Sequence, residues 1–386
     1  MDKPKPIDFR IIAERRNFTP SDPRVKVAGA FNASAAKLEG RVAFLIRVAE
    51  SPKIQRDGGY VYYPRAKISR DSGFNIEMVQ VPEKEVLEES KRAFRFPFGI
   101  RLKHISHFKL GFLEKNGDII WEQNPVLYSQ EGHENLGLED ARITSMGEKE
   151  FLVSYVSLSE ANDVTTSFAR TRDFRTFDRF PISDNTPRFM IHGKDVVFFP
   201  ERIPNPYLHD QFGRRRNSPA AFTRSIGMCS ITPEPQTSLT YFSDDFTMCG
   251  LNHCILASEK GKVTGPGPAP IWVEYMEDGK KKEGWLFIFH DVEKTRRSNI
   301  YRTASGLLDG KKPWVLSYRR EPFIEPNEHG LGKGYVNHVV YTIGEWVDDG
   351  ILYLSSGEND FANSLRSYHL EDLVSYTVGR KVRLLN

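Results

Sequence analysis

Short apolar runs separated by turn signals recur along the whole chain. VAFLIRV (42–48), FLVSYVSL (151–158), WLFIFHDV (285–292) and ILYLSS (351–356) are strand-length and rich in β-branched and aromatic residues. Helical periodicity is scarce. Its best instance is PEKEVLEESKRAF (82–94), where Pro82 stands at an N-terminus with acids in the first turn, so a short surface helix packed through Val86 and Phe94 is expected there. A weak repeat, a strand followed by a polar turn and then an aromatic, reads SRDSGFNIE (69–77), EKNGDIIWE (114–122), RTRDFRTFD (170–178) and FSDDFTMCG (242–250). Asp71, Asn116, Asp173 and Asp244 are its turn residues. Repeated antiparallel meanders of this size predict an all-β chain, a β-propeller of about five four-stranded blades carrying the short helical insertion. A pair of β-sandwiches is the rival. No linker rich in Ser, Gly or Pro divides the chain, and GPGPAP (265–270) is too short to do so, which predicts a single domain over 1–386.

Composition narrows the classes. The 386 residues suffice for a core without covalent staples. Lys and Arg number 54 against 51 Asp and Glu, so nothing resembles a nucleic-acid footprint. No apolar run approaches the ~20 residues of a membrane helix. The start, MDKPKPIDFRIIAERR, lacks an apolar signal region. Cys229, Cys249 and Cys254 are odd in number and lack CxxC spacing, which argues against a disulfide framework or a zinc site and for a cytoplasmic protein. Cys254 is expected to be buried.

The densest chemistry lies in NLGLEDARIT (135–144). Strand alternation would send Glu139 and Asp140 to opposite faces, one to a pocket and the other to Arg142. A carboxyl buried near a propeller axis has its pKa raised, as a general acid requires. An isolated EDxR is more often a structural ion-pair turn. In HGKDVVFFPERI (192–203), Lys194 and Asp195 precede a buried strand; a lysine there can hold an anion or form a surface pair. The stretch 203–222 carries Arg214, Arg215 and Arg216, an anion patch, a subunit contact or a solvated run. Trp285, His290, Tyr301, Arg302 and Asp360 could line a sugar site or a core. There is no GxSxG, HExxH, P-loop or GxGxxG after a strand.

Several segments together resemble glycoside hydrolase family 130, the mannoside phosphorylases and related β-mannosidases: AGAFNASAAKLEGRVAFLIRVAE (28–50), LGLEDARIT (136–144), GKDVVFFPERI (193–203), EGWLFIFHDV (283–292), YRTASGLLD (301–309), REPFIEPNEH (320–329) and ILYLSSGENDFA (351–362). The wording is nearest the branch acting on β-1,2-mannobiose and β-1,2-oligomannan. The resemblance implies a five-bladed propeller with an axial site. It also implies inverting phosphorolysis of a β-mannoside to α-mannose 1-phosphate, with inorganic phosphate as co-substrate and no cofactor or metal. Asp140 falls on the family's general acid, thought to act through the 3-hydroxyl of the bound mannose. Arg47, Lys194, Arg224 and His290 fall on basic positions expected to hold phosphate. His107, Asp195 and Asp360 fall beside the sugar, and Arg142 is expected to orient Glu139 or Asp140. The implied partners are a mannose-containing oligosaccharide and phosphate. Relatives are often oligomers, with the 82–94 helix and the arginine loop as candidate contacts.

There are departures. The family's LHRP is FTRS (222–225), placing Thr223 where a histidine is usual, with His209 as the alternative. YHG is FHD, which introduces Asp291, GxGxxPI is GPGPAPI, and EDPR is EDAR. An inverting β-mannosidase, recruiting Asp291 or Glu358 to activate water, is therefore the alternative activity. A non-catalytic mannoside-binding propeller is the second alternative.

Overall fold

A computed structural model describes residues 1–67, 73–130, 132–147, 149–161, 163–180, 193–225, 236–244, 248–257, 261–295, 298–328, 334 and 336–385. The expected strands are all present, within Arg41–Pro52, Phe151–Ser159, Lys280–Lys294 and Ile351–Glu358. The chain is mostly β. Among the described residues, five antiparallel sheets of four or more strands follow one another in sequence, with the edge strands Val25–Leu38, Gly137–Ser145, Gly193–Phe198, Lys262–Pro266 and Val340–Asp348. The first four edges meet in turn, Val340–Asp348 meets Val25–Leu38 to complete a ring, and the fourth sheet reaches Val340–Asp348 through Lys280–Lys294 and Asn299–Asp309. The ring is closed by Asp8–Glu14, which pairs with Ala362–His369 as the outer strand of the last sheet. Apolar clusters between sheets hold the ring together. One joins Leu45, Phe108 and Leu110 to Leu138, Val153 and Tyr155; another joins Val197, Phe222 and Leu239 to Trp285, Phe287 and Phe289.

Asn116 and Asp173 make the turns expected of them. The Asn116 side chain accepts the Asp118 amide, and Asp173 accepts the amides of Arg175 and Thr176. Asp71 lies outside the described residues. Asp244 instead pairs on the surface with Arg202.

The helix expected over 82–94 is not formed. Pro82 ends a strand and starts one 3-10 turn, Glu83–Glu85, after which Glu88–Glu89, Ala93–Phe96 and Gly99–Leu102 make a small sheet. Phe94 and Phe96 are buried on the same face of their strand, so period-two burial outweighs helical charge placement. The helix that does form among the described residues is Leu370–Val378, closed by Gly379 at φ +88°. Leu373, Val374, Tyr376 and Val378 are all buried, so it shows no polar stripe to betray it. Cys254 is exposed rather than buried. No helix among the described residues is long and apolar enough to cross a membrane.

Candidate functional site

Three of these edge strands carry the same irregularity. Pairing slips between Phe31 and Ser34, between Glu139 and Arg142, and between Lys194 and Val197. Within these bulges Asn32, Asp140 and Asp195 sit at φ +54°, +53° and +62°. Bulges re-aim side chains, and positive φ in a non-glycine residue is costly, so three polar residues held this way mark a built site. The alternation expected for Glu139 and Asp140 is thereby broken. Both carboxylates reach the same guanidinium, that of Arg47.

This is the first pole of the site. Asp140 is buried, and its Oδ1 accepts from Asn32 Nδ2 at 2.7 Å and Arg47 Nη1 at 3.0 Å. Arg47 is buried beside the Phe31 ring. Its Nε donates to Ser106 Oγ at 3.1 Å, and its Nη2 bonds Glu139 and lies 3.2 Å from His104 Nε2. Burial would raise the Glu139 carboxyl, but Arg47, His104 and Arg92 outweigh it and hold it well below the usual range. Arg47 was expected to hold phosphate. Here its guanidinium serves the two carboxylates, so it belongs to the acid pole. Asp360, at φ +51°, joins this pole with Arg92 Nη1 3.6 Å from its Oδ2. Burial raises the Asp360 carboxyl, Arg92 and Arg47 oppose that, and Asp140 and Glu139 reinforce it.

His107 does not join them. It pairs with Val48 on the adjoining strand, so its ring leaves by the face opposite Ser106 and Arg47. It is buried against Phe74, with Glu50 4.0 Å away. Ser106 and His104 are the residues of this segment that reach the site.

The second pole surrounds Asp195, which is fully buried. Oδ1 accepts from Arg142 Nη2 at 3.1 Å and Tyr341 Oη at 2.5 Å, and Oδ2 from Arg224 Nη1 at 3.1 Å. His290 Nε2 lies 3.4 Å from Oδ2. Burial is overcome by Lys194, Arg142 and His290, which hold the Asp195 carboxyl well below its ordinary value. Asp195 was expected beside the sugar; here both of its oxygens are engaged by the groups it gathers. His290 is also buried; desolvation takes its pKa down to about 4 against the pull of Asp195. Its neighbour Gly265 has no room for a side chain, since a Cβ would fall 2.2 Å from His290 Nε2. Lys194 is half-buried at the same pole, its strand position facing that of Arg224.

Arg142 links the poles. Its Nη1 donates to the Asp140 carbonyl at 3.2 Å while Nη2 bonds the Asp195 carboxylate. It thus orients Asp140 through the backbone, not through either carboxylate of its own motif. The remaining candidates lie elsewhere. Thr223 is buried and bonds Thr240, and His209 is on an exposed hairpin where Arg214 pairs with Asp210. Glu358 is ion-paired with buried Arg366 at 2.7 Å. Asp291, next to His290 on its strand, lines a separate cavity of about 300 Å³ with Lys262, Thr264, Arg319 and Arg320. Asn32, His104, Arg92 and Tyr341 are site residues that sequence reasoning did not single out. Asn32 stands inside AGAFNASAAK, and its asparagine in an otherwise small and apolar run was the available signal.

Residues 265–378 match the family model described as β-1,4-mannooligosaccharide phosphorylase. The chain is 26% identical over 340 residues to the β-1,2-mannobiose phosphorylase of Listeria innocua, covering 87% of each chain. It is 25% identical over 283 residues to a 1,2-β-oligomannan phosphorylase of a Thermoanaerobacter species, covering 70% of this chain and 81% of the relative. The structure of the Listeria innocua β-1,2-mannobiose phosphorylase in complex with β-1,2-mannobiose superposes with a TM-score of 0.77 at 22% identity, covering 95% and 96% of the two chains. A mannose phosphorylase from Leishmania mexicana, in complex with a phosphate ion, superposes with a TM-score of 0.54 at 12% identity, covering 98% and 92%. These matches bear out the resemblance to glycoside hydrolase family 130 that the sequence motifs carry.

Proposed function

We propose that the protein is an inverting β-mannoside phosphorylase that cleaves a β-1,2-linked mannoside with inorganic phosphate. One observation carries the reading: Arg142 joins the backbone of Asp140 to the carboxylate of Asp195, around which buried Arg224 and His290 and half-buried Lys194 gather. Inverting displacement at an anomeric carbon needs a proton donor on one face and a nucleophile on the other. Asp140 supplies the proton, relayed through the mannose 3-hydroxyl to the leaving glycosidic oxygen. A phosphate oxygen held by Lys194 and Arg224 forms the new bond to the anomeric carbon as the old carbon–oxygen bond breaks. The products are α-mannose 1-phosphate and the shortened saccharide. Phosphate already carries its charge, so no second carboxylate is needed as base. Neutral His290 fits a hydrogen bond to phosphate, and Asp360 accepts from a sugar hydroxyl.

The five sheets are read as the blades of one propeller forming a single catalytic domain over 1–386. It works without a cofactor, in a cytoplasm where a sugar phosphate is retained. The β-1,2 linkage follows the two named relatives rather than the β-1,4 description of the family model. Incubation with β-1,2-mannobiose or β-1,4-linked mannosides, with and without phosphate, tests it. Mannose 1-phosphate from the β-1,2 substrate, formed only with phosphate, is the expected result. Free mannose in equal amounts under both conditions would make the protein a hydrolase.

A further inference from the structure

Between the paired strands Arg41–Pro52 and Ile105–Leu113 the chain makes an excursion, residues 53–103, whose described strands belong to none of the five ring sheets. This arm folds into two small three-stranded sheets, Arg56–Asp57 with Tyr60–Ala66 and Ile76–Pro82, and Glu88–Glu89 with Ala93–Phe96 and Gly99–Leu102. Val61, Tyr63, Val81, Phe94 and Phe96 form its core, which packs on Leu136, Val156 and Leu158 of the neighbouring ring sheet. The arm is therefore clamped to the ring beside the strand that carries Asp140.

One turn of this arm reaches the acid pole. Ser90 Oγ accepts the amides of Arg92 and Ala93 at 3.2 and 3.0 Å, and the Arg92 carbonyl accepts the Lys103 amide at 2.8 Å. The backbone of Arg92 is thus fixed independently of its side chain. That side chain extends to Asp360, Nη1 to Oδ2 3.6 Å, while 41% of it meets solvent. Arg92 also acts electrostatically on Glu139 and His104, so its charge lies close to the Asp140 group. A guanidinium partly open to solvent beside a carboxylate offers both donors and acceptors, which suits adjacent hydroxyls of a pyranose.

We infer that Arg92 is a substrate-recognition residue carried by the arm, gripping a hydroxyl pair of the mannoside jointly with Asp360 and so deciding which mannosides enter. The inference rests on the phosphorylase reading above. Loss of one charge-assisted hydrogen bond, about 1.5–3 kcal/mol, corresponds to a ten- to hundredfold effect.

Initial rates of wild type, Arg92→Ala, Arg92→Lys and Arg95→Ala are measured with β-1,2-mannobiose and phosphate varied separately. Arg95 is on the same arm but pairs with Glu88 in solvent, so Arg95→Ala should match wild type. Arg92→Ala should raise the mannobiose KM by roughly ten- to hundredfold and leave the phosphate KM unchanged. It should also move the acid limb of kcat/KM upward. The charges facing Asp360 are Arg92, Arg47, Asp140 and Glu139, and removing Arg92 leaves fewer that favour its ionised form. Arg92→Lys should restore that limb but not the KM, because an ammonium keeps the charge and loses the fork. Equal increases in both KM values, or none in either, would overturn the inference while leaving the phosphorylase reading intact. Absence of mannose 1-phosphate with wild type would bring down both.

Discussion

Asp140 and Asp195 stand at equivalent bulges, each at positive φ on a ring strand, yet their carboxylates keep different company. Asp195 has both oxygens occupied, by Arg142, Tyr341 and Arg224, with His290 beside them. Asp140 is engaged through Oδ1 alone among the described residues. The same residue type in the same backbone state is thus a fixed hub in one sheet and a group with an oxygen to spare in the next. What separates them is the number of donors the surroundings supply. A carboxylate with both oxygens held is fixed in place, while one left half-engaged has an oxygen with which to meet a substrate hydroxyl.

The sharpest way to break this contrast is to neutralise each aspartate. Asp140→Asn keeps an acceptor for Asn32 and Arg47 but removes the transferable proton. It should lower kcat about 10²- to 10⁴-fold in a mannobiose phosphorolysis assay, with binding of the sugar retained. Turnover near wild type would mean that Asp140 is not the donor.

Asp195→Ala should act mainly on stability. Arg142 and Arg224 are buried, and removing their shared counter-charge leaves them uncompensated, at a cost of about 3–5 kcal/mol. Thermal unfolding should show a large fall in Tm, whereas Asp140→Asn should change Tm little. Similar Tm losses in both variants would erase the distinction between hub and donor.

The strands were legible because their signal is local: β-branched and aromatic residues in period two, broken by turn residues such as Asn116 and Asp173. Asp140 was legible as part of a motif. The company it keeps was not, because bulges are invisible to an alternation rule. That rule placed Glu139 and Asp140 on opposite faces and left Arg47 available for phosphate. His107 failed for a related reason: strand phase, which pairing with Val48 decides, hands the site to Ser106 instead. Over 82–94, charges suggesting a helix yielded to Phe94 and Phe96. Arg92 was unreadable in principle, since its part in the site depends on where the arm docks.

A smaller effect tests the basic pole. The His290 pKa is pushed down to about 4, below its ordinary 6.5, chiefly by burial. As pH falls from about 6.5 towards 4 the unfolded chain binds a proton there that the folded protein does not, so stability should fall across that window. His290→Gln should make the fall shallower without abolishing it, because His104 and His107 are lowered too. Inorganic phosphate, by favouring the imidazolium, should make the wild-type fall shallower than chloride does. Chemical denaturation at several pH values checks this, and identical slopes for wild type and His290→Gln would mean that His290 is not buried as a neutral ring.

The smallest effect expected is none, at Asp291, and it separates phosphorolysis from hydrolysis. Asp291 replaces the family's usual glycine and is the carboxylate a hydrolase could have recruited beside His290. Strand alternation prevents that. His290 faces Asp195, while Asp291 lies on the opposite face, in a cavity with Lys262, Arg319 and Arg320, 3.5 Å from the Arg319 guanidinium. Burial raises its pKa, but a carboxyl turned away from the anomeric carbon cannot activate water there whatever its protonation state. Asp291→Asn should therefore leave mannose 1-phosphate formation and any background release of free mannose at wild-type rates. A selective loss of free-mannose release would place Asp291 within reach of the sugar and make this strand, like those of Asp140 and Asp195, one whose alternation is broken at the axis.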